Sequence, residues 1–505
     1  MLEKALKQEF TNNQRKQTKR PFVLAAVMLA MFMAAVEATI VSTAMPSIVS
    51  DLGGFSKYSW IFSAYLLMNA ITVLIYGKLS DIFGRKPVLT VGIIIFLVGS
   101  ILCGTSSSME WLIFYRFIQG IGAGAVMPIA STIVGDIYSK EERAKIQGYL
   151  SSIWGVSAIT GPVLGGLIVE FTTWRYVFWI NVPIGIIALI GLHSFLHEQI
   201  NKRSTKIDYH GAFLMFVSIS SLMMILVEGG VRFEWTSFPI VGLGCLSLIT
   251  FIMFIRQEQR AQNPMMPLEI WKHRSILIAN VIGLTTGIIL IGISSFLPAF
   301  VQGVMGKSPM VAGFTLMTMS IGWPIAATIA GRLILTLGYR KTSIFGGIFL
   351  IIGGLIFFFL SKDAGPLMAM AGSFFIGVGM GLSSTAFIVS IQSTVGWEQR
   401  GIATATNMFM RNVGSTIGAA LLGGIINSRL AHYIEKNDLS DQVELNNTHA
   451  LLDPHGGESL TAEAQNILRE GLNLSLHHAY TAVLIFALIS FFLILFFPKE
   501  GDQET

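Results

Sequence analysis

Long apolar runs recur along almost the whole chain, and they constrain its fold more than any other feature. Each run holds roughly 20 residues, the length that an α-helix needs to cross a hydrocarbon core about 30 Å thick. The runs are continuously apolar and lack the alternation of a membrane strand, which favours helices over a barrel. Charged residues make up 12% of the 505 residues, roughly half of their usual share in soluble proteins. The sequence therefore predicts an all-α polytopic membrane protein.

We count fourteen such runs and predict one transmembrane helix for each. In chain order they cover residues 22–48, 58–78, 88–108, 111–134, 145–170, 175–195, 211–231, 238–256, 276–302, 311–334, 342–361, 366–389, 403–427 and 478–498.

A glycine-bracketed polar turn, residues 77–87, lies between the second and third runs. Its glycines permit tight backbone geometry, and its basic pair favours the cytoplasmic side of the membrane. Ordinary loop capping and anchoring are the simpler explanation of the same residues. The residues of this turn that we expect to act in conformational gating are Gly77, Asp81, Gly84, Arg85 and Lys86.

A weaker copy of this turn at residues 331–341 indicates an internal repeat, in which Leu335 aligns with Asp81. The repeat divides the fourteen helices into six, two and six. The expected regions are a cytoplasmic tail (1–21), an N-terminal bundle (22–200), an inserted helix pair with its connections (201–275), a C-terminal bundle (276–498) that includes an extracellular loop (428–477), and a second cytoplasmic tail (499–505).

The distribution of Lys and Arg predicts the orientation in the membrane. With the N-terminus inside, 22 of the 34 basic residues fall on the cytoplasmic side, eight fall outside and four lie within spans. Because basic residues accumulate in cytoplasmic loops, both termini are expected inside. The net charge of +5 is dispersed by this topology, so no nucleic-acid partner is expected. Cys103 and Cys245 fall in spans, so we expect no disulfide. The first apolar run is too long for a signal peptide and follows a polar tail of about twenty residues, so we expect no cleavable signal peptide.

Three charged residues lie deep within predicted spans, where a charge is costly and usually faces a cavity or a partner: Glu37, Arg116 and Arg411. Glu37 and Arg116 both lie roughly 22 Å from the inner surface, at 1.5 Å per residue. They can therefore form an ion pair, with Gln119 one helical turn away as a third polar partner. The sequence leaves open whether they touch, and whether such a pair binds protons and substrate or only fixes helix packing.

Arg411 lies near the middle of the thirteenth span, with Asn407 one turn earlier on the same face. We expect both to provide polar contacts in a cavity, although a purely structural role for Arg411 is equally compatible with the sequence.

In the fifth span, small residues and a proline favour a smooth, bent helix surface for packing or sliding. The positions concerned are Gly155, Gly161, Pro162, Gly165 and Gly166.

The chain resembles the 14-helix drug/proton antiporters of the major facilitator superfamily, the EmrB/QacA type, over nearly its whole length. Residues 77–86 resemble the superfamily's loop signature, and residues 116–124 (Arg-Phe-Ile-Gln-Gly-Ile-Gly-Ala-Gly) resemble its span-4 proton-coupling motif. Residues 155–166 resemble the span-5 motif of antiporters, and residues 36–46 resemble the family's span-1 motif. The family usually has Asp where this chain has Glu37, which keeps the carboxylate but leaves pocket geometry and substrate preference in question.

This resemblance implies two bundles that rock around a central cavity. It places Asp81 and Arg85 in a cytoplasmic latch and gives Glu37 and Arg116 a role in proton and substrate coupling. The implied activity is export of lipophilic, cationic drugs in exchange for protons, with no cofactor or metal beyond the proton motive force. We expect a monomer in the lipid of a bacterial cell membrane, and hence a contribution to antibiotic resistance.

Other functions remain open on the sequence. A dedicated exporter of one metabolite or antibiotic, or an exchanger of an organic anion, fits the same topology, and the intramembrane arginines favour anions. A channel or membrane sensor is also compatible. Residues 301–308 end like a phosphate-binding loop but lack its first glycine, and no catalytic pattern has a recognisable spacing, so an ATP-driven pump or another enzyme is not expected.

Overall fold

The computed structural model describes residues 18–138, 140–198, 208–229, 232–261, 264, 266, 268–395, 400–436 and 462–498. Thirteen long helices form the architecture of these residues. They are α1 (Arg20–Leu52), α2 (Tyr58–Phe83), α3 (Arg85–Gly104), α4 (Met109–Ile137), α5 (Lys140–Phe171), α6 (Asn181–Phe195), α7 (Tyr209–Glu228), α8 (Phe238–Arg260), α9 (Arg274–Ala299), α10 (Pro309–Phe358), α11 (Gly365–Thr394), α12 (Arg400–Lys436) and α13 (Ala462–Leu495). Short helical turns at Phe55–Lys57, Tyr176–Trp179 and Leu268–Lys272 connect them, and a π-helical turn, Phe300–Val304, extends α9.

Twelve helices among the described residues are long and apolar enough to cross a membrane, so the chain is an all-helical, multi-pass membrane protein. The count of fourteen is not confirmed. The tenth and eleventh predicted spans lie in one 50-residue element, α10, where the sequence predicts a turn between them. In the fifth predicted span, the apolar helix Gly155–Phe171 is shorter than the other twelve.

Gly338 is the single non-helical position inside α10, with φ 81° and ψ 169°. Its counterpart in the internal repeat is Gly84, which has φ 96° and ψ 155° and separates α2 from α3. Both conformations lie in a region that is open almost only to glycine. The weak repeat in the sequence is therefore accompanied by the same backbone bend in the structure.

The helices pack as two groups with a helix pair beside them. In the first group α1 packs on α4, α5 and α6, and α4 also contacts α2 and α3; in the second, α9 and α10 pack with α11, α12 and α13. The groups meet where α5 contacts α10, α2 contacts α12 and α1 contacts α9. Helix α7 packs on both α2 and α12, and α8 packs on α7. The domain boundaries drawn from the sequence stay a prediction.

Direct polar contacts join the two groups where α2 begins and α9 ends. The Tyr58 hydroxyl donates a hydrogen bond to the Ser295 carbonyl oxygen at 2.6 Å, and the ring of Phe296 stacks on Tyr58 with a centroid distance of 5.5 Å. Nearby, Asn427 Nδ2 donates to the Ser56 carbonyl oxygen at 2.6 Å. The seam between the groups is closed at this end, which the basic-residue count predicts to be the outer one.

The segment predicted as an extracellular loop, 428–477, is helical at its two ends, and its position outside the membrane stays a prediction. Helix α12 continues to Lys436 and α13 begins at Ala462. Leu468, Leu472 and Leu476 recur every four residues and are buried in the main hydrophobic core together with α12 residues, so this apolar stripe extends the helix beyond the predicted span. Residues 437–461 lie outside the described residues.

Gly99→Ala is expected to destabilise the protein, because α3 and α4 touch there through their backbones. A Cβ at Gly99 would lie 2.6 Å from the backbone nitrogen and Cα of Gln119, and overpacking typically costs about 1–3 kcal/mol. Gly242→Ala in α8 is the matched control, since no atom of the described residues lies within 4 Å of its Cβ position and Ala favours a helix. Thermal unfolding in detergent should show a lower midpoint for Gly99→Ala alone; equal midpoints would contradict this packing.

Candidate functional site

Glu37 and Arg116 are in direct contact. Glu37 lies in the middle of α1 and Arg116 in the N-terminal third of α4, and Arg116 Nη1 donates a hydrogen bond to Glu37 Oε1. The second carboxylate oxygen accepts a hydrogen bond from Asn181 Nδ2 at 2.6 Å. Glu37 is fully buried and Arg116 is 1% exposed. The equal depths expected from the sequence thus correspond to an ion pair shielded from water.

Gln119 connects this pair to a third helix. Arg116 Nη1 also donates to Gln119 Oε1 at 2.7 Å, and Gln119 Nε2 donates to Ser100 Oγ at 2.7 Å. Asn181 Nδ2 lies 3.3 Å from the same Ser100 hydroxyl. Five buried polar side chains from α1, α3, α4 and α6 therefore form one hydrogen-bonded network, the Glu37 cluster: Glu37, Ser100, Arg116, Gln119 and Asn181.

The guanidinium of Arg116 is held on its other sides by the backbone and by aromatic rings. Arg116 Nε donates to the Ile61 carbonyl oxygen at 3.2 Å, and its Cζ lies 4.2 Å from the ring centroid of Tyr65 and 5.9 Å from that of Phe178. A cation above an aromatic face gains about 2 kcal/mol or more when desolvated. Arg116 thus has partners on several sides, whereas the hydrogen bonds that Glu37 accepts from Arg116 and Asn181 are the contacts that a proton or ligand would replace.

Asn181, like Ser100, is a member of the cluster that the sequence did not predict. It begins α6, directly after the helical turn Tyr176–Trp179. The sequence feature that could have identified it is its amide side chain within the apolar run at 175–195, because a buried amide usually has polar partners. Its Oδ1 has no hydrogen-bond partner within the described part of the chain, which leaves one acceptor free beside the carboxylate.

The two cavity residues predicted in the thirteenth span have different surroundings. Asn407 Nδ2 donates to the Ala279 carbonyl oxygen at 2.9 Å and to Asn280 Oδ1 at 3.2 Å, so it ties α12 to α9. The guanidinium of Arg411 lies 5.8 Å from the ring centroid of Trp323 in α10. Arg411 is only partly buried, and no carboxylate among the described residues forms an ion pair with it.

The polar turn between α2 and α3 makes contacts inside the first helix group. Arg85 Nε lies 3.0 Å from the carboxylate of Asp136 in α4. The backbone nitrogens of Arg85 and Lys86 donate to the Glu198 carboxylate at 2.7 and 2.9 Å, which caps the start of α3. The side chain of Asp81 lies outside the described residues. The role of this turn as a latch stays a prediction.

Of the two glycines predicted to gate this turn, only Gly84 is required by the backbone. Its positive φ explains why glycine is needed at the junction. Gly77 lies within α2, and nothing lies within 4 Å of its Cβ position.

The glycines of α5 allow close approach on two sides. A Cβ at Gly165 would lie 2.7 Å from the Ile40 carbonyl oxygen in α1, and one at Gly166 would lie 2.8 Å from Met310 Cα in α10. A Cβ at Gly161 would lie 3.0 Å from Thr39 Cβ in α1. Pro162 packs against Gly313 of α10, and a Cβ at Gly155 would lie 3.3 Å from Pro324 Cγ in the same helix. Helix α5 thus packs closely on α1 of its own group and on α10 of the second group, and small residues allow this close approach.

Comparison with known proteins finds a family and a fold. The family model described as Major Facilitator Superfamily matches residues 27–419. The chain is 37% identical to the "Multidrug transporter protein MdtP" of Bacillus subtilis (strain 168), over 83% of this chain and 77% of that protein. It is 36% identical to the "Multidrug resistance protein 3" of the same organism, over 81% of this chain and 80% of the relative.

Solved structures resemble the chain in fold. A bacterial homolog of the human lysosomal transporter Spinster, in an inward-facing and unoccupied conformation, has a TM-score of 0.68 at 16% identity and covers 96% of this chain and 98% of its own. A D-xylose-proton symporter has a TM-score of 0.62 at 12% identity, covering 96% and 99%. At these identities the likeness concerns the helix arrangement alone.

Proposed function

Because the chain belongs to the major facilitator superfamily, we propose that it is a drug/proton antiporter, which exports lipophilic, cationic compounds by alternating access. Membership in this family makes the chain a membrane transporter rather than an enzyme. Its relatives of 36% and 37% identity are named for multidrug transport or resistance. The observation that carries the proton-coupled part of the proposal is the Glu37 cluster, a buried carboxylate at mid-membrane depth held by one guanidinium and one amide.

We propose fourteen membrane crossings, as in the EmrB/QacA type. Helix α10 has 50 residues, roughly 75 Å at 1.5 Å per residue, which is more than twice the thickness of a hydrocarbon core. The bend at Gly338 divides it into two lengths that each suffice to cross. Helix α5 counts as a further crossing, since its 32 residues are long enough even though the apolar part is short.

The proposed coupling uses exchange of partners at Glu37. In the present conformation both carboxylate oxygens are occupied and water is excluded. Separation of α1 from α4 or α6 would free the carboxylate, which then takes a proton or faces a drug cation, but not both. Because the proton and the drug cation compete for one negative charge, proton entry is coupled to drug export. No cofactor is needed, and the proton motive force supplies the energy.

In this proposal, alternating access results from opening and closing of the seam between the two helix groups at its opposite ends. The contact of Tyr58 with Ser295 and the tight packing of α5 on α10 close one end of the seam. With both termini cytoplasmic in a bacterial cell membrane, this is the outer end, so the conformation is closed to the outside. Asp81 and Arg85 would form the latch that closes the opposite end, and the protein would act as a monomer.

Transport by the purified protein in liposomes tests this proposal. With an imposed pH gradient, wild-type protein is expected to move ethidium against its own gradient and to move protons the opposite way, recorded by a pH dye inside the vesicles. Collapse of the gradient with a protonophore should stop ethidium accumulation. Ethidium movement that is indifferent to the gradient would contradict antiport.

Exchange of an organic anion is the second candidate, and Arg411 favours it. Its guanidinium lies 5.8 Å from the Trp323 ring centroid and has no ion-pair partner among the described residues, whereas the Glu37 carboxylate is paired with Arg116. An unpaired positive charge within the membrane attracts a carboxylate more readily than a cation.

Arg411→Gln is expected to abolish carboxyfluorescein transport while leaving ethidium transport within about twofold, if anions are carried. Arg332→Gln is the matched control, because Arg332 also lies in a predicted span but is exposed. Both fluxes are measured in the same liposomes. Equal loss of both fluxes in Arg411→Gln would assign Arg411 to folding, and the absence of carboxyfluorescein flux in wild-type protein would reject the second candidate.

A further inference from the structure

A groove lies between α7 and α8 at the ends that meet the predicted cytoplasmic surface. Its volume is about 640 Å³, within the range of roughly 300–1,000 Å³ that is usual for small-molecule sites. The lining residues that matter here are Tyr209, His210, Phe213, Met253, Arg256 and Arg260. Those of α7 and those of α8 each recur at helical spacing, so two helix faces form the two walls.

The lining changes from basic to apolar along the helix pair. Arg260 and His210 lie at the helix ends, Arg256 lies one turn deeper, and Phe213 and Met253 follow farther into the span. Phe213 is 65% exposed and Met253 is 49% exposed. This arrangement provides a cationic mouth above an apolar channel.

The two arginines are not neutralised within the described residues, where neither forms an ion pair with a carboxylate. Two carboxylates lie beside the groove. Asp208 accepts hydrogen bonds from the Gly211 nitrogen at 2.9 Å and from Gln257 Nε2 at 3.0 Å, which caps α7 and ties it to α8. Glu258 Oε2 accepts a hydrogen bond from the Met266 nitrogen at 2.9 Å. Both carboxylates are thus engaged with other groups, and both arginines remain available to an anion.

The position of the groove selects the ligand. Its mouth lies at the ends of two spans, where they reach the predicted membrane surface. Basic pockets between transmembrane helices at this surface are suited to anionic lipid headgroups. The exposed apolar side chains of Phe213 and Met253, next to this mouth, fit an acyl chain, which a free phosphate does not have.

We propose that this groove is a binding site for an anionic phospholipid, with the headgroup phosphate on Arg256 and Arg260 and an acyl chain along Phe213 and Met253. The site is separate from the Glu37 cluster and does not depend on drug or proton transport. Because α7 contacts both α2 and α12, the bound lipid lies beside the helix that joins the two groups.

Titration of the full-length protein in detergent, followed by native mass spectrometry, tests this site. Wild-type protein is expected to retain phosphatidylglycerol at least tenfold more tightly than phosphatidylcholine with the same acyl chains. The double variant Arg256→Ala/Arg260→Ala should bind phosphatidylglycerol roughly 30-fold more weakly, as expected from the loss of two headgroup contacts. Arg232→Ala, at the opposite end of the pair, is the matched control and should match wild type.

Three results would overturn the proposal. These are equal retention of the two lipids by wild-type protein, unchanged phosphatidylglycerol binding in the double alanine variant, and full competition by glycerol phosphate at the same concentration as the lipid, which would identify a site for free phosphate. Arg256→Lys/Arg260→Lys keeps both charges and should stay within about threefold of wild type. The comparison of two lipids on wild-type protein decides the matter even if the alanine variant does not fold.

Discussion

Glu37→Gln is expected to reduce gradient-driven ethidium export to the level of empty liposomes while the protein remains folded. The amide has the size of the carboxylate and can still accept a hydrogen bond from Arg116 or Asn181, but it cannot release a proton. It is equivalent to the protonated carboxylate through which the proposed cycle must pass, so the variant should halt at that state. Ethidium flux and internal pH are recorded together, with folding checked by size exclusion and thermal unfolding.

Glu37→Asp is the matched control for this prediction, since it keeps the carboxylate on a shorter arm. It should retain drug-coupled proton movement, although its rate or substrate range can differ because the contacts to Arg116 and Asn181 must be rebuilt. Export by Glu37→Gln at the wild-type rate would remove Glu37 from proton coupling and leave it a role in packing only.

Arg116→Met is expected to lower the stability of the protein by about 3–5 kcal/mol, the cost of leaving a buried charge without its partner. The substitution removes the counter-charge of Glu37 and the contacts with Gln119 and the Tyr65 ring. Because Glu37 is fully buried, water cannot replace these contacts without a local opening. Thermal or denaturant unfolding in detergent measures the loss.

Two further variants separate charge pairing from packing. In Glu37→Gln/Arg116→Met no charge is left in the cluster, so the double variant should be more stable than Arg116→Met alone. Arg175→Met is the exposed control: its pair with Asp51 spans 2.8 Å at the protein surface, where an ion pair contributes only about 0–1 kcal/mol. Equal losses for Arg116→Met and Arg175→Met would contradict the buried pair.

The sequence predicted the centre of the candidate site because a charge inside the membrane is rare. Glu37, Arg116 and Gln119 were recognised from their depth and from the spacing of one helical turn, and the structure shows them in contact. Asn181 and Ser100 were not recognised, since single amides and hydroxyls within apolar runs occur too often to be distinguished. Only the packing of α3 and α6 against α1 and α4 reveals them as partners.

The limits of the helices were harder to predict than their existence. Hydropathy locates the part of a helix that lies in lipid, but it does not report where a helix continues into water. Helix α13 begins at Ala462 because its leucines pack with α12, and that tertiary contact has no signature in a hydropathy profile. In α10 the turn predicted between the tenth and eleventh spans consists of Gly338 alone, since a single glycine with positive φ suffices to redirect the chain.

Proton release on drug binding is the measurement that tests the role of the Glu37 cluster most directly. Purified protein in weakly buffered detergent solution is mixed with ethidium, and the pH is followed with an indicator dye. Wild-type protein should release protons in proportion to the ethidium bound, whereas Glu37→Gln, which resembles the protonated carboxylate, should bind ethidium more weakly and release no protons. Ethidium binding by wild-type protein with no change in pH would contradict competition between drug and proton at Glu37.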